Sequence, residues 1–382
     1  MATQLTAPVP GELAPAPTLA QIARQWGRIG CVGFGGPPVH VALLRELCVE
    51  QRQWLTSEQF ERAVAATNIL PGPASTQLAI YCAWRLRGVR GALLGGVCFI
   101  VPGLAAIIAL AALFLSASPP VWVRGAGMGA GAAVAPVAVR AGLSVALPIW
   151  HSADSGDRRR RVLAYGLAGA LSVALLGPWL VLVLVACGLC ELAGAVRART
   201  HIGNHAWLAL AWTALKIGAL AFGGGFVIVP LLQSDAVSTY HWMTHGQFLD
   251  AVALGQITPG PLVQTVAVVG YAAAGLPGAL LAGLVAFSPS FSFILIGGSR
   301  FERLLTDARA RAFLAGAAPC AAGAIIGAAI PLTGALTESW QYAVLGAAAL
   351  ALLVARRAIV PTLLAAGCVG TIAALLGAPI TP

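Results

Sequence analysis

Charge is what this sequence is short of. Lys, Arg, Asp and Glu make up 9% of its 382 residues, against about 25% in an ordinary soluble domain. Lysine is nearly missing, with Lys216 the single one, and Asp and Glu together number 13. With 59% hydrophobic residues and a mean hydropathy of +0.85 there is too little polar surface to clothe a water-soluble chain of this length. Soluble enzymes, nucleic-acid binders and secreted disulfide scaffolds are excluded. Paired cysteines are lacking too: the eight are scattered singly except Cys187 and Cys190, which share one apolar stretch with no second pair or histidines beside them, so they read as small buried residues. His40 and His241 lack metal-ligand spacing, and His201 and His205 fall in a polar loop. No metal, haem or other cofactor is implied, nor a cytoplasmic catalytic domain. Residues 1–17 have neither a basic start nor a long apolar core and read as a disordered tail, not a cleaved signal peptide.

Apolar runs of membrane-crossing length are what the chain has in abundance, at about 91–116, 121–149, 162–176, 178–196, 278–298, 312–331, 339–355 and 358–376, each near the ~20 residues a helical span needs. The net charge of +10 comes from short arginine groups between these runs, the distribution produced by the positive-inside rule. Regions 18–87 and 206–275 are apolar but broken by Gly and Pro at matching places. Setting the sequence against itself at a spacing of 188 explains why. Phe34-Gly35-Gly36 falls on Phe222-Gly223-Gly224, Trp54 on Trp242, and Pro71-Gly72-Pro73 on Pro259-Gly260-Pro261, with 11 of the 20 positions from Trp54 to Pro73 identical. The chain is an internal duplication: a first repeat over 18–196, a cytoplasmic linker at 197–205 and a second repeat over 206–382. The expected class is an all-α polytopic membrane protein. The turn at 85–90 holds Arg85, Arg87 and Arg90 whereas its counterpart at 273–278 holds no charge, so all basic groups reach one side only if the repeats have inverted topology. Inverted repeats with broken helices mark secondary transporters whose site lies near the midplane.

The breaks are where chemistry is expected. Non-helical backbone at membrane depth persists only where it is buried in protein or lines a water-filled cavity, and a half-helix starting there directs unpaired N–H groups at an anion. Arg28 and Lys216, each six residues before the Phe of its FGG, are candidate cations for such a ligand, with snorkelling or a carboxylate partner as the alternative. Asn68 and Gln256 precede the PGP breaks, and Ser75, Thr76, Gln264 and Thr265 follow them; they are candidate donors or helix caps. Glu46 and Asp235 are candidate proton-coupling carboxylates, because the repeat does not preserve them; Asp250, which aligns with Arg62, is unpreserved as well.

Gly33-Phe34-Gly35-Gly36-Pro37 with Pro71-Gly72-Pro73, repeated as Ala221-Phe222-Gly223-Gly224-Gly225 with Pro259-Gly260-Pro261, resembles the chromate ion transporter family, whose long members are two fused halves. The resemblance covers nearly the whole chain after residue 17. It implies a bacterial inner-membrane protein that exports chromate, a sulfate-like tetrahedral dianion, with the proton motive force, and confers chromate resistance. Implied partners are the oxyanion, protons as coupling ion and the bilayer; a homodimer is left open. Gly225 stands where the first motif has Pro37. Sulfate or another oxyanion as substrate, and an anion channel in place of a carrier, are the alternatives.

Overall fold

In a computed structural model, residues 14–70, 72–116, 118–153, 155–175, 183, 186, 187, 206–221, 228–297 and 308–380 are described. Fifteen α-helices order these residues: α1 Leu19–Val32, α2 Pro37–Arg45, α3 Ser57–Ile69, α4 Ala74–Phe114, α5 Val121–Ala132, α6 Val134–His151, α7 Gly156–Leu175, α8 Ala206–Leu220, α9 Ile228–Gln233, α10 His245–Ile257, α11 Thr265–Gly297, α12 Ala308–Gly327, α13 Ala329–Gly334, α14 Ser339–Ala349 and α15 Ile359–Leu375. Among the described residues, four stretches are long and apolar enough to cross a membrane: Ala74–Phe114, Val121–His151, Leu262–Gly297 and Ala315–Gly334. Pro71, the second FGG at 222–224, run 178–182, the linker at 197–205 and the basic segment 300–307 lie outside the described residues.

The repeat is visible in backbone detail. Thr56 caps α3 and Thr244 caps α10, each in a capping box with the Gln three residues on, which satisfies two orphan donors at each helix start. A π-turn follows the first FGG at Glu46–Gln51, and its counterpart is Ser234–Thr239. The helices after the two PGP breaks both fold back sharply, α4 at Gly88 (φ 59°, ψ −149°) and α11 at Gly275 (φ 62°, ψ −154°), a conformation essentially reserved for glycine. In each hairpin the arms touch: Gly91 lies against the Ala83 carbonyl, and Gly278 against that of Gly270.

Regions 18–87 and 206–275 resist parsing as spans because their helices turn back partway. α1 runs inward to the FGG break, and α2 with its π-turn returns, since the Ala14 N–H donates to the Gln53 carbonyl at 3.0 Å. The Arg87 guanidinium Nε, at the α4 turn, donates to the Pro17 carbonyl at 2.5 Å. Residues 14–17, expected to be part of a disordered tail, are therefore pinned beside the arginine-bearing turn. Both hairpins of the first repeat thus have their open ends at the Gly88 end of α4's long arm. Thr244–Gln247, at the equivalent ends of the second repeat, share a cavity with Phe114 at the other end of that arm, about 39 Å away at 1.5 Å of rise per residue. The repeats are inverted relative to one another.

The repeats also interlock. α5 of the first packs on α15 of the second, and α12 of the second on α7 of the first. These crossings use small residues, Gly125 and Gly129 against Gly370, and Gly166 against Gly323, which lets backbones approach where lipid gives no hydrophobic drive for association.

Candidate functional site

Two unlike breaks meet at the repeat interface. The Gly260 N–H of the second PGP donates to the Gly33 carbonyl beside the first FGG, at 3.1 Å. That carbonyl is also in hydrogen-bond contact with His40 Nε2 at 2.8 Å, while His40 Nδ1 pairs with the Ser75 hydroxyl at 3.1 Å. With Nε2 protonated, His40 donates to Gly33 and accepts from Ser75. The ring is fully buried and meets Phe99 edge-on at 5.1 Å. The carbonyl therefore ties Gly260 and His40 directly to the first break, and Ser75 through His40. The second break is braced from inside: Gln264 Nε2 donates to Thr258 Oγ1 at 2.8 Å and to the Pro259 carbonyl at 2.9 Å. Gly103 on α4 receives that carbonyl so closely that any Cβ would overlap it. Gly35, Gly36, Gly72 and Gly260 all have φ between 78° and 120°, a region open to glycine and strained for other residues.

Between these breaks opens a cavity of about 710 Å³, lined by Phe34, Gly35 and Gly36 of the first repeat, Gln256, Thr258 and Gly260 of the second, and Arg140 and Ser144 of α6. Arg140 is the one charged side chain among the lining residues, and it reaches the carbonyl of Arg357 at the far wall. Gln256 Nε2 is buried without a hydrogen-bond partner among the described residues. A buried unmatched donor costs roughly 1–3 kcal/mol, and an acceptor entering the cavity would remove that cost. One cation, an unsatisfied amide and exposed backbone at the first break, with no carboxylate on the wall, suit an anion better than a cation.

The expected site residues divide. Phe34, Gly35, Gly36, Gln256 and Gly260 line the cavity; Pro259 and Pro261 shape its second break; Gly72, Pro73 and Ser75 are buried in the first. Arg28 and Asn68 are exposed on their helices and do not line it. Lys216 does not line it either; its Nζ lies 2.6 Å from Asp235 Oδ2 in a buried ion pair, and Thr213 Oγ1 donates to the same oxygen at 2.9 Å. The two repeat-related cations therefore do not converge here, because one faces outward and the other is neutralised. Glu46 is exposed and accepts from Gln51 at 2.7 Å. Phe222, Gly223 and Gly224 lie outside the described residues.

Sequence reasoning passed over Arg140, although a cation within an apolar run is itself a signal, since burying it in a bilayer costs at least about 2.5 kcal/mol. His40 gave no comparable signal; only the fold brings it to Gly33 and Ser75.

Comparison with known proteins bears on the family and on the repeat. The family model described as chromate transporter matches residues 20–192 and again 208–372, once per repeat. The chain is 31% identical to the chromate transport protein of Cupriavidus metallidurans over 95% of its own length and 94% of the relative's. It is 32% identical to the chromate transport protein of Pseudomonas aeruginosa over 94% of both, and 30% identical to a probable chromate transport protein of Synechococcus elongatus over 83% and 85%. No solved structure matches. These similarities place it among transport proteins rather than enzymes, as a multi-pass membrane protein of the bacterial type, and the chain belongs to the chromate transporter family.

Proposed function

We propose that this protein exports chromate across the bacterial inner membrane by alternating access, with energy from the proton motive force. The observation that carries the reading is the cavity where the first FGG and second PGP breaks meet around Arg140. The dianion sits between the two half-helix ends, held by Arg140, by the Gln256 amide and by the backbone N–H groups of Gly35 and Gly36 at the first break. Arginine suits the task because its planar fork contacts two oxygens of an oxyanion at once. The cavity has room for the ion with part of its water, since each water in the liquid occupies about 30 Å³. It lies toward Ala358–Pro361, next to Arg356 and Arg357, and the positive-inside rule puts those arginines at the cytoplasmic face. Alternating access follows from the inverted repeats, since rocking one against the other exchanges which face the site opens to.

The test is chromate uptake by everted membrane vesicles, with and without a protonophore and with sulfate as competitor. R140Q should abolish uptake at wild-type expression and R140K should retain part of it. Undiminished uptake in R140Q would remove Arg140 from the site. Sulfate inhibition as strong as that by unlabelled chromate would make the substrate tetrahedral oxyanions in general. Uptake indifferent to the protonophore would leave an anion carrier without proton coupling.

A further inference from the structure

A second cavity, of about 640 Å³, opens at the opposite end of the same helices. Its wall includes Phe114 at the end of α4, Arg124 of α5, Gln341 of α14, and His245, Gln247 and Asp250 of α10. Arg124 and Arg140 lie in one continuous span, Val121–His151, and are separated by about 24 Å of helix rise. If the anion cavity faces the cytoplasm, the second one faces outward. We infer that Asp250 is the protonation site of the carrier, loaded through this outer cavity and linked to the anion site by α10. The inference rests on the proposed transport reading and adds to it the residue that takes the proton.

Three observations support it. First, the Asp250 carboxylate has no ion-pair or hydrogen-bond partner among the described residues, unlike Asp235, which has both. An unpaired carboxylate within a membrane protein is costly when charged, so its charge state depends on what water reaches it. Second, it lies against the bare backbone of α5: a Cβ on Gly127 would come within 2.5 Å of Oδ1, and one on Gly131 within 3.7 Å. This glycine face accepts a neutral carboxyl, whereas a charged one is drawn toward the cavity and Arg124. In the proposed cycle the carboxylate leaves this face when it loses its proton, and α10 shifts on α5 with it. Third, α10 carries Gln256 in its last turn and leads into the second PGP break, so the helix that carries Asp250 also forms a wall of the anion cavity, about 9 Å further along its axis. The corresponding helix of the first repeat, α3, carries Arg62 at the equivalent position, exposed and paired with Glu58 at 2.5 Å.

The charged groups around Asp250 allow this role. α5 contributes Arg124, whose Nη2 donates to the Ile380 carbonyl at 2.9 Å, and α10 itself contributes His245. Glu338 caps α14 through its own helix amides. Asp235 in the neighbouring π-turn is held by Lys216, and Arg140 of α6 belongs to the anion cavity. The titratable groups of α4 lie between Tyr81 and Cys98, near its Gly88 end; α11 offers Tyr271 and α15 Cys368, and neither is on this cavity wall.

The sign follows from linkage. Protonation removes a negative charge from the helix that walls the anion site and seats the carboxyl on the glycine face, so chromate affinity should rise as pH falls, and binding at either site should favour the other. Chromate binding to the purified full-length protein, measured by calorimetry from mildly acid to mildly alkaline pH, tests this. Wild type should weaken by about fivefold or more as pH rises, the lower range of such couplings. D250N should lose that dependence and hold near the acid-limit affinity, and D250E should keep it with a displaced midpoint. Chromate's own protonation is common to all three proteins, so the differences belong to residue 250. A D250N profile parallel to wild type would overturn the assignment and leave the anion cavity standing. D250E behaving like D250N would overturn it as well, by making the site one of shape. A wild type that binds no chromate would remove both this inference and the reading beneath it.

Discussion

Lys216 and Asp235 face each other at 2.6 Å with side chains 15% and 5% exposed, and each is the other's main compensation for leaving water. Removing one partner of such a pair costs about 3–5 kcal/mol, while replacing both by apolar groups is often neutral or better. K216M alone should therefore lower the melting temperature of the purified protein sharply, and K216M with D235L should recover most of it. A double variant no more stable than K216M would mean that the pair is not the source. The sequence singled out both residues and assigned them to separate tasks. Eighteen residues lie between them in the chain, and the tertiary contact that brings them together is not written in local propensity. Gly35, Gly36 and Gly260, with Gln256 beside the second break, were legible as cavity lining because proline and glycine announce non-helical backbone wherever they stand. Arg140 and Asp250 were legible only as charges in apolar surroundings, and which charges face a cavity is decided by packing between distant segments.

The element that sets the architecture is the helical hairpin closed at Gly88 and again at Gly275. Both glycines sit at positive φ with extended ψ, where a side chain costs about 1–3 kcal/mol. G88A and G275A should each lose melting temperature, and G346A, on α14 with nothing within 4 Å of an added Cβ, should not. Similar losses in all three would show that the turns carry no special strain. At the α5–α15 crossing, Gly129 meets the Ala366 carbonyl too closely for any Cβ, so G129L should reduce the yield of folded protein in the membrane more than L350A on the exposed side of the bundle does. Apolar runs located most of the membrane helices in the sequence. They could not show that 18–87 and 206–275 go in and come back, because a re-entrant pair and a broken crossing have the same composition. The deciding contacts, Ala14 to Gln53 and Pro17 to Arg87, are tertiary.

Over the whole molecule neither repeat can bury its small-residue faces alone, since α5 needs α15 and α7 needs α12. The first repeat expressed without the second should accumulate poorly, and co-expression of the two as separate chains should restore both; stable accumulation of the lone first repeat, judged by immunoblot of membranes, would contradict the interlocking. The duplication and its inversion were readable from the 188-residue offset and from the placement of arginines. Which break of one repeat would meet which break of the other was not.

The Gly33–Gly260 bond joins an FGG break to a PGP break of the opposite repeat, and Gly72 of the first PGP lies close to the Gly218 carbonyl, on the helix that leads to the second FGG. A half-length chain carrying one of each motif could make the same pair of contacts by associating with an identical copy inserted upside down. Such a chain would have to enter the bilayer in both orientations and could not afford a strong arginine bias. Joining two copies end to end lifts that restriction: each half then keeps one orientation for good, so arginines can gather at the turn of one and leave the turn of the other, and a position that holds Arg62 in one half can become Asp250 in its twin.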